Sequence, residues 1–299
     1  MRSFRIFRKF IQTNNNKFLS RGLKTSAKES HEGEGNQKFE FDDKTTHFGF
    51  ETVSTGEKTE KVRAVFENVA DSYDNMNDAM SLGIHRIWKD LFIQELAPTH
   101  GCRLLDSAGG TGDITFRYLK YLENCKNPMN LQSHVTVCDI NSNMLEVGKI
   151  RAERHGWTME NGFDIQWKEA NAEKLPFEND SFSAYTIAFG VRNVTHIDKV
   201  LEEAYRVLQP GGRFLCLEFS HVNNNMVKWV YDQYSFQVIP VMGVLIANQW
   251  QPYQYLVESI RKFPNQEDFK DMISNAGFRH VTYKNLTFGI VAIHSGFKI

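Results

Sequence analysis

Apolar residues recur every three or four positions between residues 57 and 96, and this spacing predicts helices that each bury one face. Pro98 ends the helical region, because proline lacks the backbone N–H that a helix needs. The pattern changes from Cys102 onward. Short apolar runs bounded by glycine or polar turns then alternate with amphipathic stretches, which predicts alternating strands and helices.

Five apolar runs predict strands, namely CRLLDSA, HVTVCDI, FDIQWKEA, FSAYTIAFG and RFLCLEFS. The helices between them are predicted at residues 113–122, in SNMLEVGKIRAERHG, and in IDKVLEEAYRV, which Pro210 and Gly211 end. This alternation specifies an α/β fold with a mostly parallel sheet covered by helices on both faces. A final helix in NQEDFKDMISNAGF precedes HVTYKNLTFGIVAIHSG, which predicts a hairpin with an antiparallel edge strand.

We expect one domain over residues 45–299, in which residues 57–97 form an N-terminal helical segment. Residues 30–57 are polar and predict a linker, although the aromatic residues in FEFDDKTTHFGF indicate that part of it packs on the body. Residues 221–263 form an aromatic-rich insertion. This insertion is either a lid over a long apolar ligand or an ordinary helical core segment. The longest apolar run, VIPVMGVLIA, is far shorter than the roughly 20 residues that span a bilayer.

Charge is distributed unevenly along the chain. Eight of the 35 basic residues lie in the first 28 residues, which contain no acid. Because this stretch is also amphipathic and contains serine, residues 1–30 are typical of a mitochondrial transit peptide; a disordered basic tail is the alternative. The remaining 27 basic residues are outnumbered by 36 acidic ones, which disfavours a nucleic-acid partner. The four cysteines have no CxxC spacing, so neither a disulfide framework nor a metal site is predicted.

The stretch LLDSAGGTGDITFRYL places an acid and a glycine-rich turn between the first predicted strand and the next helix. A dinucleotide fold would need a third glycine where Thr115 stands, which disfavours an NAD oxidoreductase. The run from Asp106 to Asp113 instead resembles motif I of S-adenosylmethionine-dependent methyltransferases. In that interpretation Gly109 and Gly110 let the backbone approach the cofactor closely.

Two further predicted strands end in residues that suit the same ligand. Asp139 ends the second strand, and its carboxylate has lone pairs for both ribose hydroxyls. Asn171 and Ala172 follow the third strand, where an amide side chain and backbone groups can meet adenine. Because parallel strands end at the same edge of a sheet, we expect these residues to share one site with the glycine turn.

Longer motifs narrow the assignment. YDNMNDAMSLGIHRIWKD and RVLQPGGRFLCLEFS are similar to signatures of the ubiquinone/menaquinone C-methyltransferase family, and FGVRNV, THFGFETV and ESIRKFPNQEDFKDMI also match. The resemblance covers about residue 45 to the C-terminus. It implies the class I S-adenosylmethionine-dependent methyltransferase fold, a Rossmann-like mostly parallel sheet with an antiparallel C-terminal hairpin strand. It also implies C-methylation of the ring of a prenylated methoxy-benzoquinol in ubiquinone synthesis.

The family's cofactor positions carry over to Thr111, Asp139, Asn171 and Ala172. The chain departs from bacterial members at Ala188, where they often have serine; one hydroxyl contact is lost there, or a water replaces it. The resemblance also implies that the helical segment 57–97 faces the substrate. The resemblance implies a polyprenyl benzoquinol substrate, a multi-protein biosynthetic complex, and a matrix enzyme held peripherally on the inner mitochondrial membrane. A methyltransferase acting on another small phenol and a scaffold subunit of such a complex remain alternatives.

Ring-carbon methylation requires a nucleophilic ring, which an ionised ring hydroxyl provides, and phenols have a pKa of about 10. Arg192 is the first candidate for this role. Arginine stays protonated, so it would stabilise the phenolate and polarise a water rather than act as a simple base. Asn193 would orient that water or the ring. The alternative is a structural Arg192 that forms a salt bridge to the helical N-terminal segment.

Tyr73 is the next catalytic candidate, because it lies with Asp74 and Asn77 on a polar stripe of YDNMND. The alternative for this stripe is helix capping. His85 could be a base, but we expect a packed or surface helix residue there. Glu218 ends the fifth strand, where it either faces the site or is structural.

Overall fold

The computed structural model describes residues 45–67, 77–78, 80–159, 163–239, 241–242 and 251–299. The predicted transit peptide over residues 1–30 and the candidate Tyr73 lie outside the described residues.

The described chain begins with a small antiparallel hairpin, β1 (Thr45–Phe48) and β2 (Glu51–Ser54). Seven further strands form one sheet in the order β5-β4-β3-β6-β7-β9-β8. Their bounds are β3 (Arg103–Ser107), β4 (His134–Asp139), β5 (Asp164–Glu169), β6 (Phe182–Ala188), β7 (Leu208–Phe219), β8 (Arg279–Leu286) and β9 (Val291–Phe297). The pairs among β3 to β7 are parallel, whereas β9 is antiparallel to both neighbours. The predicted fold class is confirmed, except that the antiparallel strand lies inside the sheet rather than at its edge.

Eight helices are α1 (Thr55–Glu67), α2 (Ile84–Leu96), α3 (Asp113–Glu123), α4 (Ser142–Arg154), α5 (Ile197–Val207), α6 (Asn225–Gln233), α7 (Gln251–Lys262) and α8 (Gln266–Asn275) within the described ranges. Two apolar clusters cover the two faces of the sheet. Leu104 belongs to one cluster with Phe92 of α2, and Leu105 belongs to the other with Leu201 of α5. Successive strand residues point to opposite faces, so β3 is buried on both.

The structure corrects two sequence predictions. The helix α5 ends at Val207, and Pro210 and Gly211 lie inside β7 instead of ending the helix. The reason is pairing with the C-terminus, since the Gly211 N–H donates to the Lys298 carbonyl at 2.7 Å. Residues 45–54 are a hairpin rather than a linker. The prediction that its aromatic residues pack on the body is confirmed, because the Phe48 and Tyr255 rings stack with centroids 4.2 Å apart.

Alanine substitutions at two glycines with left-handed backbone, Gly112 and Gly211, can be compared to test how tightly the structure packs around Gly112. Any other residue would be similarly strained at Gly112 (φ 81°) and at Gly211 (φ 82°). A Cβ at Gly112 would lie 2.7 Å from Trp167 Cη2, whereas a Cβ at Gly211 meets nothing within 4 Å. We expect Gly211→Ala to lower the free energy of unfolding by about 1 kcal/mol. Gly112→Ala adds an overpacking cost and should lower the free energy of unfolding, measured in urea, by about 3 kcal/mol or more. Equal losses of unfolding free energy in the two variants would contradict the packing argument.

Candidate active site

The carboxyl ends of β3, β4, β5 and β6 surround an open cleft of about 1240 Å³. Ligands of doubly wound sheets bind at this edge, where the loops after neighbouring parallel strands converge. All the residues predicted to bind the cofactor line the cleft: Gly109, Gly110, Thr111, Asp139, Asn171 and Ala172, together with Ala188. The structure therefore brings together every position taken from separate motifs.

The glycine turn packs closely against β4 because Gly109 and Gly110 have no side chains. A Cβ at Gly109 would lie 2.6 Å from Val137 Cγ1, and Gly110 has the left-handed φ of 54°. The Gly110 N–H donates to Asp139 Oδ2 at 2.9 Å. The turn is thus tied to the end of β4, and a side chain at Gly109 would collide with Val137 of that strand.

Asp139 is fixed at the end of β4 by two backbone donors. Its Oδ1 accepts from the Asn141 N–H at 2.9 Å, and Oδ2 accepts from Gly110. Burial raises the pKa of Asp139, while these N–H donors oppose the shift. Each carboxylate oxygen keeps a second lone pair for a ligand hydroxyl. The neighbouring strand end is held as well, since Asn171 Oδ1 accepts from the Glu173 N–H at 2.9 Å.

Asp106 is buried in the wall of the same cleft. Thr115 Oγ1 donates to its Oδ2 at 2.8 Å, and Thr186 Oγ1 donates to its Oδ1 at 3.0 Å. Burial raises the pKa of Asp106 to about 6. The residue that replaces the third glycine of a dinucleotide motif therefore holds an acid at the cleft. Carboxylates, a glycine cradle and an amide side chain in one cleft fit S-adenosylmethionine, which has a cationic end, a ribose and an adenine.

A second cavity of about 950 Å³ adjoins the cleft. Its wall is mostly aromatic and aliphatic, and includes Trp88, Phe219, Tyr231, Tyr234, Ile239 and Leu256. Phe189 and Lys89 line both spaces. Phe189 has a φ of 56°, and its N–H donates to the Leu217 carbonyl at 2.8 Å. The chain therefore holds a strained aromatic residue at the boundary between the two spaces, as functional sites often do.

Arg192 lies in the wall of the second cavity, in a 3-10 turn over Val191–Asn193. Its guanidinium Nη1 is 3.0 Å from Glu218 Oε1, and both side chains are buried. The structural alternative predicted a salt bridge to the N-terminal helical segment, which is wrong, because the partner is Glu218 at the end of β7. The Arg192 Nε has no hydrogen-bond partner among the described residues.

Asn193 lies on the other side of the boundary and lines the cofactor cleft. Its Oδ1 accepts from the Tyr255 hydroxyl at 3.1 Å, and the Tyr255 ring stacks on Phe48. Adjacent residues of one short turn thus reach the two spaces separately. The structure brings Arg192 and Asn193 together at the site, but Tyr73 lies outside the described residues.

One helix face contributes three residues to the second cavity, of which the sequence analysis considered His85 alone. His85, Trp88 and Lys89 of α2 line the second cavity. His85 Nε2 is 2.8 Å from Asp78 Oδ1, and Lys89 Nζ is 2.6 Å from Asp113 Oδ2. Burial lowers the pKa of His85. Their spacing of three and four residues was the signal that these side chains share one face.

The predicted helical segment divides between the two spaces. Thr59 and Val62 of α1 line the cofactor cleft, while α2 lines the second cavity. Lys58 anchors α1 to the segment after the 3-10 turn, since its Nζ donates to the Val194 carbonyl at 2.6 Å. Burial lowers the pKa of this amine to about 8. The aromatic insertion lines the second cavity through Tyr231 and Tyr234, and other residues of it form a small buried cluster around Tyr253.

The chain is similar in sequence to known methyltransferases. Residues 54–298 match the ubiE/COQ5 methyltransferase family. A Drosophila melanogaster relative is 68% identical over 259 residues, which covers 86% of each chain. The chain belongs to the ubiE/COQ5 methyltransferase family. A Mus musculus family member is 59% identical over 85% of this chain and 84% of its own. Both relatives are named "2-methoxy-6-polyprenyl-1,4-benzoquinol methylase, mitochondrial".

A solved structure agrees with this family's fold. A Thermotoga maritima SAM-dependent methyltransferase, described as a possible histamine N-methyltransferase, aligns with a TM-score of 0.52. It is 16% identical and covers 80% of this chain and 100% of its own, so the likeness concerns the fold alone. Because the chain belongs to the ubiE/COQ5 methyltransferase family, it is an S-adenosylmethionine-dependent enzyme, and the cofactor prediction is confirmed.

Proposed function

We propose that this enzyme transfers the methyl group of S-adenosylmethionine to a ring carbon of 2-methoxy-6-polyprenyl-1,4-benzoquinol, giving the 5-methyl product. The observation that carries the proposal is the meeting of the two spaces at Phe189. The cleft for the methyl donor, which contains the carboxylates, and the apolar cavity for the acceptor share Phe189 and Lys89 as wall residues. Reactants held in this way are positioned for direct transfer, which is the main catalytic requirement here.

The second cavity suits a substituted ring with an apolar tail. Its aromatic and aliphatic lining offers flat contacts to a ring and apolar surface to the first units of a prenyl chain. Arg192 supplies a permanent positive charge in the same wall. The names of the relatives describe a substrate with these features, a quinol ring with a polyprenyl substituent.

The residues at the boundary would activate the ring as follows. Bound S-adenosylmethionine would supply the electrophilic methyl group and leave as S-adenosylhomocysteine. The ring carbon that accepts the methyl group would then lose its hydrogen to water as a proton, which restores the aromatic ring and returns the ring oxygen to its hydroxyl form. Arg192, held by Glu218, would stabilise the negative oxygen that develops when a ring hydroxyl gives up its proton to water. Asn193, held by Tyr255, would orient that water or the ring edge. Gly109, Gly110, Thr111, Asp139, Asn171 and Ala172 would hold the cofactor.

The raised pKa of Asp106 predicts a pH dependence of cofactor binding. Below about pH 6 this carboxyl takes up a proton in the free enzyme, and a neutral acid attracts the cationic cofactor less. We expect the Kd, measured by calorimetry, to be constant above pH 7 and to rise as the pH falls through about 6. Asp106→Asn should bind the cofactor weakly and show no rise of the Kd near pH 6. Asp198→Asn, at an exposed position at the start of α5, should keep the pH dependence of the wild type. A wild-type Kd that does not change between pH 5 and pH 8 would contradict this prediction.

A panel of acceptors tests the proposed reaction. Labelled S-adenosylmethionine is incubated with a short-tailed 2-methoxy-6-prenyl-1,4-benzoquinol, its oxidised quinone, and methoxyphenols without a tail. We expect rapid labelling of the quinol alone, because the quinone has no ionisable hydroxyl and the tail-free phenols leave the apolar cavity unfilled. Equal labelling of tail-free phenols would favour the alternative of a methyltransferase acting on another small phenol.

We propose that the enzyme works in the mitochondrial matrix, in peripheral contact with the inner membrane. The relatives are named mitochondrial, and the basic N-terminus has the composition of a transit peptide. No helix in the described ranges is long and apolar enough to cross a bilayer. A polyprenyl substrate resides in the membrane, so the enzyme must reach it from the surface. Recovery in the soluble mitochondrial fraction without salt or detergent would contradict membrane contact.

A further inference from the structure

Large apolar side chains are exposed around the second cavity. They come from three separate places: the loop before α2, the helix α6, and the 3-10 turn Thr287–Gly289. The exposed residues are Leu82 (85% exposed), Met226 (79%), Trp229 (65%), Val230 (55%) and Phe288 (75%). We call these five residues the rim surface. Three of the five lie on α6, and the other two are at or next to residues that line the cavity. Neighbouring exposed apolar side chains mark an interaction site.

Each part of the rim surface is continuous with the cavity. Leu82 itself lines the cavity, and Thr287, next to Phe288, lines it too. On α6 and the turn after it, Met226, Val230 and Tyr234 follow one another at intervals of four residues, so they lie in one line along the helix. This line starts at an exposed residue and ends at a cavity residue. It forms an apolar path from the surface to the cavity.

The backbone holds two of these residues outward at a cost. Leu82 has a φ of 51° and Phe288 a φ of 58°, values that are strained for residues other than glycine. Trp88 Nε1 donates to Thr287 Oγ1 at 2.8 Å and anchors the turn that carries Phe288. A fold that only needed a turn here would place asparagine or glycine at such a φ.

We infer that the rim surface inserts into the surface of a lipid bilayer, and that a polyprenyl tail passes from the bilayer along the Met226–Val230–Tyr234 line into the second cavity. The passage of the tail rests on the proposed quinol substrate. A bilayer is the occupant that fits, because the cavity behind the rim must receive a tail that is dissolved in lipid. The chain beyond residue 28 is acidic in balance, so apolar insertion rather than attraction to anionic lipid must drive the contact.

Partition into vesicles tests the insertion. The full chain is mixed with neutral phosphatidylcholine vesicles at physiological salt, since the basic first 28 residues would bind anionic lipid on their own. The variant combines Trp229→Gln, which suits an exposed helix position, with Phe288→Asn, which suits the left-handed backbone. The control is Met129→Gln, equally exposed at 74% in the loop that leads to the amino end of β4.

We expect the partition coefficient of the double variant to fall at least tenfold and that of the control to stay unchanged. Unchanged partition of the double variant would overturn the inference. So would an oligomeric state that changes with the double variant in the absence of vesicles, because the rim surface would then be an interface between copies. A loss of binding to a protein partner with unchanged partition would equally overturn the bilayer contact.

Activity separates this inference from the proposed function. The double variant should methylate a short-tailed soluble quinol at the wild-type rate, but a long-tailed quinol embedded in vesicles at least tenfold more slowly. Equal losses on both substrates would overturn the inference, because the residues would then affect the fold or the chemistry. If the wild type fails to methylate the soluble quinol, the proposed function and the passage of the tail fail together, while partition still tests the insertion alone.

Discussion

Asp139→Ala should weaken S-adenosylmethionine binding by about 100-fold or more, which corresponds to about 2.7 kcal/mol. The carboxylate does two things at once. It accepts hydrogen bonds from the Gly110 and Asn141 N–H groups, and it offers the remaining lone pairs to the ligand. Hydrogen bonds to a charged group each contribute about 1.5–3 kcal/mol. Removing the side chain therefore loosens the glycine turn and deletes ligand contacts together.

Glu169→Ala is the matched control for this substitution. Glu169 ends the neighbouring strand β5 in direct register with Asp139, but it is exposed and is not part of the cleft wall. We expect its Kd for the cofactor, measured by calorimetry, to stay within about twofold of the wild type. A cofactor affinity for Asp139→Ala close to that of the control would contradict the position of the cofactor in this cleft.

Arg192→Ala should lower kcat for methyl transfer by about 100-fold or more, because removing one group that stabilises a developing oxyanion typically costs 10²–10³. Cofactor affinity should change little, since Arg192 lines the second cavity rather than the cleft. The substitution also leaves Glu218 buried without its partner, which costs about 3–5 kcal/mol of stability. A loss of activity through unfolding must therefore be separated from a loss of chemistry.

The double variant Arg192→Ala with Glu218→Gln separates the two effects. It removes both buried charges, so we expect most of the lost stability in urea unfolding to return while kcat stays low. Arg213→Ala is the control for losing an arginine–glutamate pair on the same strand, since Arg213 Nη2 lies 3.3 Å from Glu95 Oε1. It should lose stability and keep kcat. Recovery of kcat in the double variant would show that Arg192 is only structural.

The sheet and the cofactor cleft were predictable from the sequence because both depend on local patterns. Buried parallel strands are short apolar runs, and each ligand residue directly follows such a run at the same edge of the sheet. The common position of Gly110, Asp139 and Asn171 at this edge could therefore be predicted one motif at a time, and the structure places all three in one cleft. The departure at Thr115, which excluded a dinucleotide site, has a physical explanation in the structure: its hydroxyl holds Asp106.

The second cavity was less predictable because its walls come from distant parts of the chain. The partner of Arg192 could not be found from spacing, since Glu218 lies 26 residues away near the end of β7. His85 was expected to be an ordinary helix residue, and its contact with Asp78 spans a turn that periodicity does not describe. The extension of β7 over Pro210 likewise depends on pairing with Lys298 at the far end of the chain.

The measurement that tests the central claim most directly is the position of the transferred methyl group. S-adenosylmethionine carrying a ¹³C-methyl group is incubated with the enzyme and a short-tailed 2-methoxy-6-prenyl-1,4-benzoquinol, and the product is examined by NMR. The account predicts a methyl carbon bonded to ring carbon 5, with a chemical shift typical of an aryl methyl group. A methyl carbon bonded to a ring oxygen, or label found on no acceptor while the cofactor binds, would contradict it.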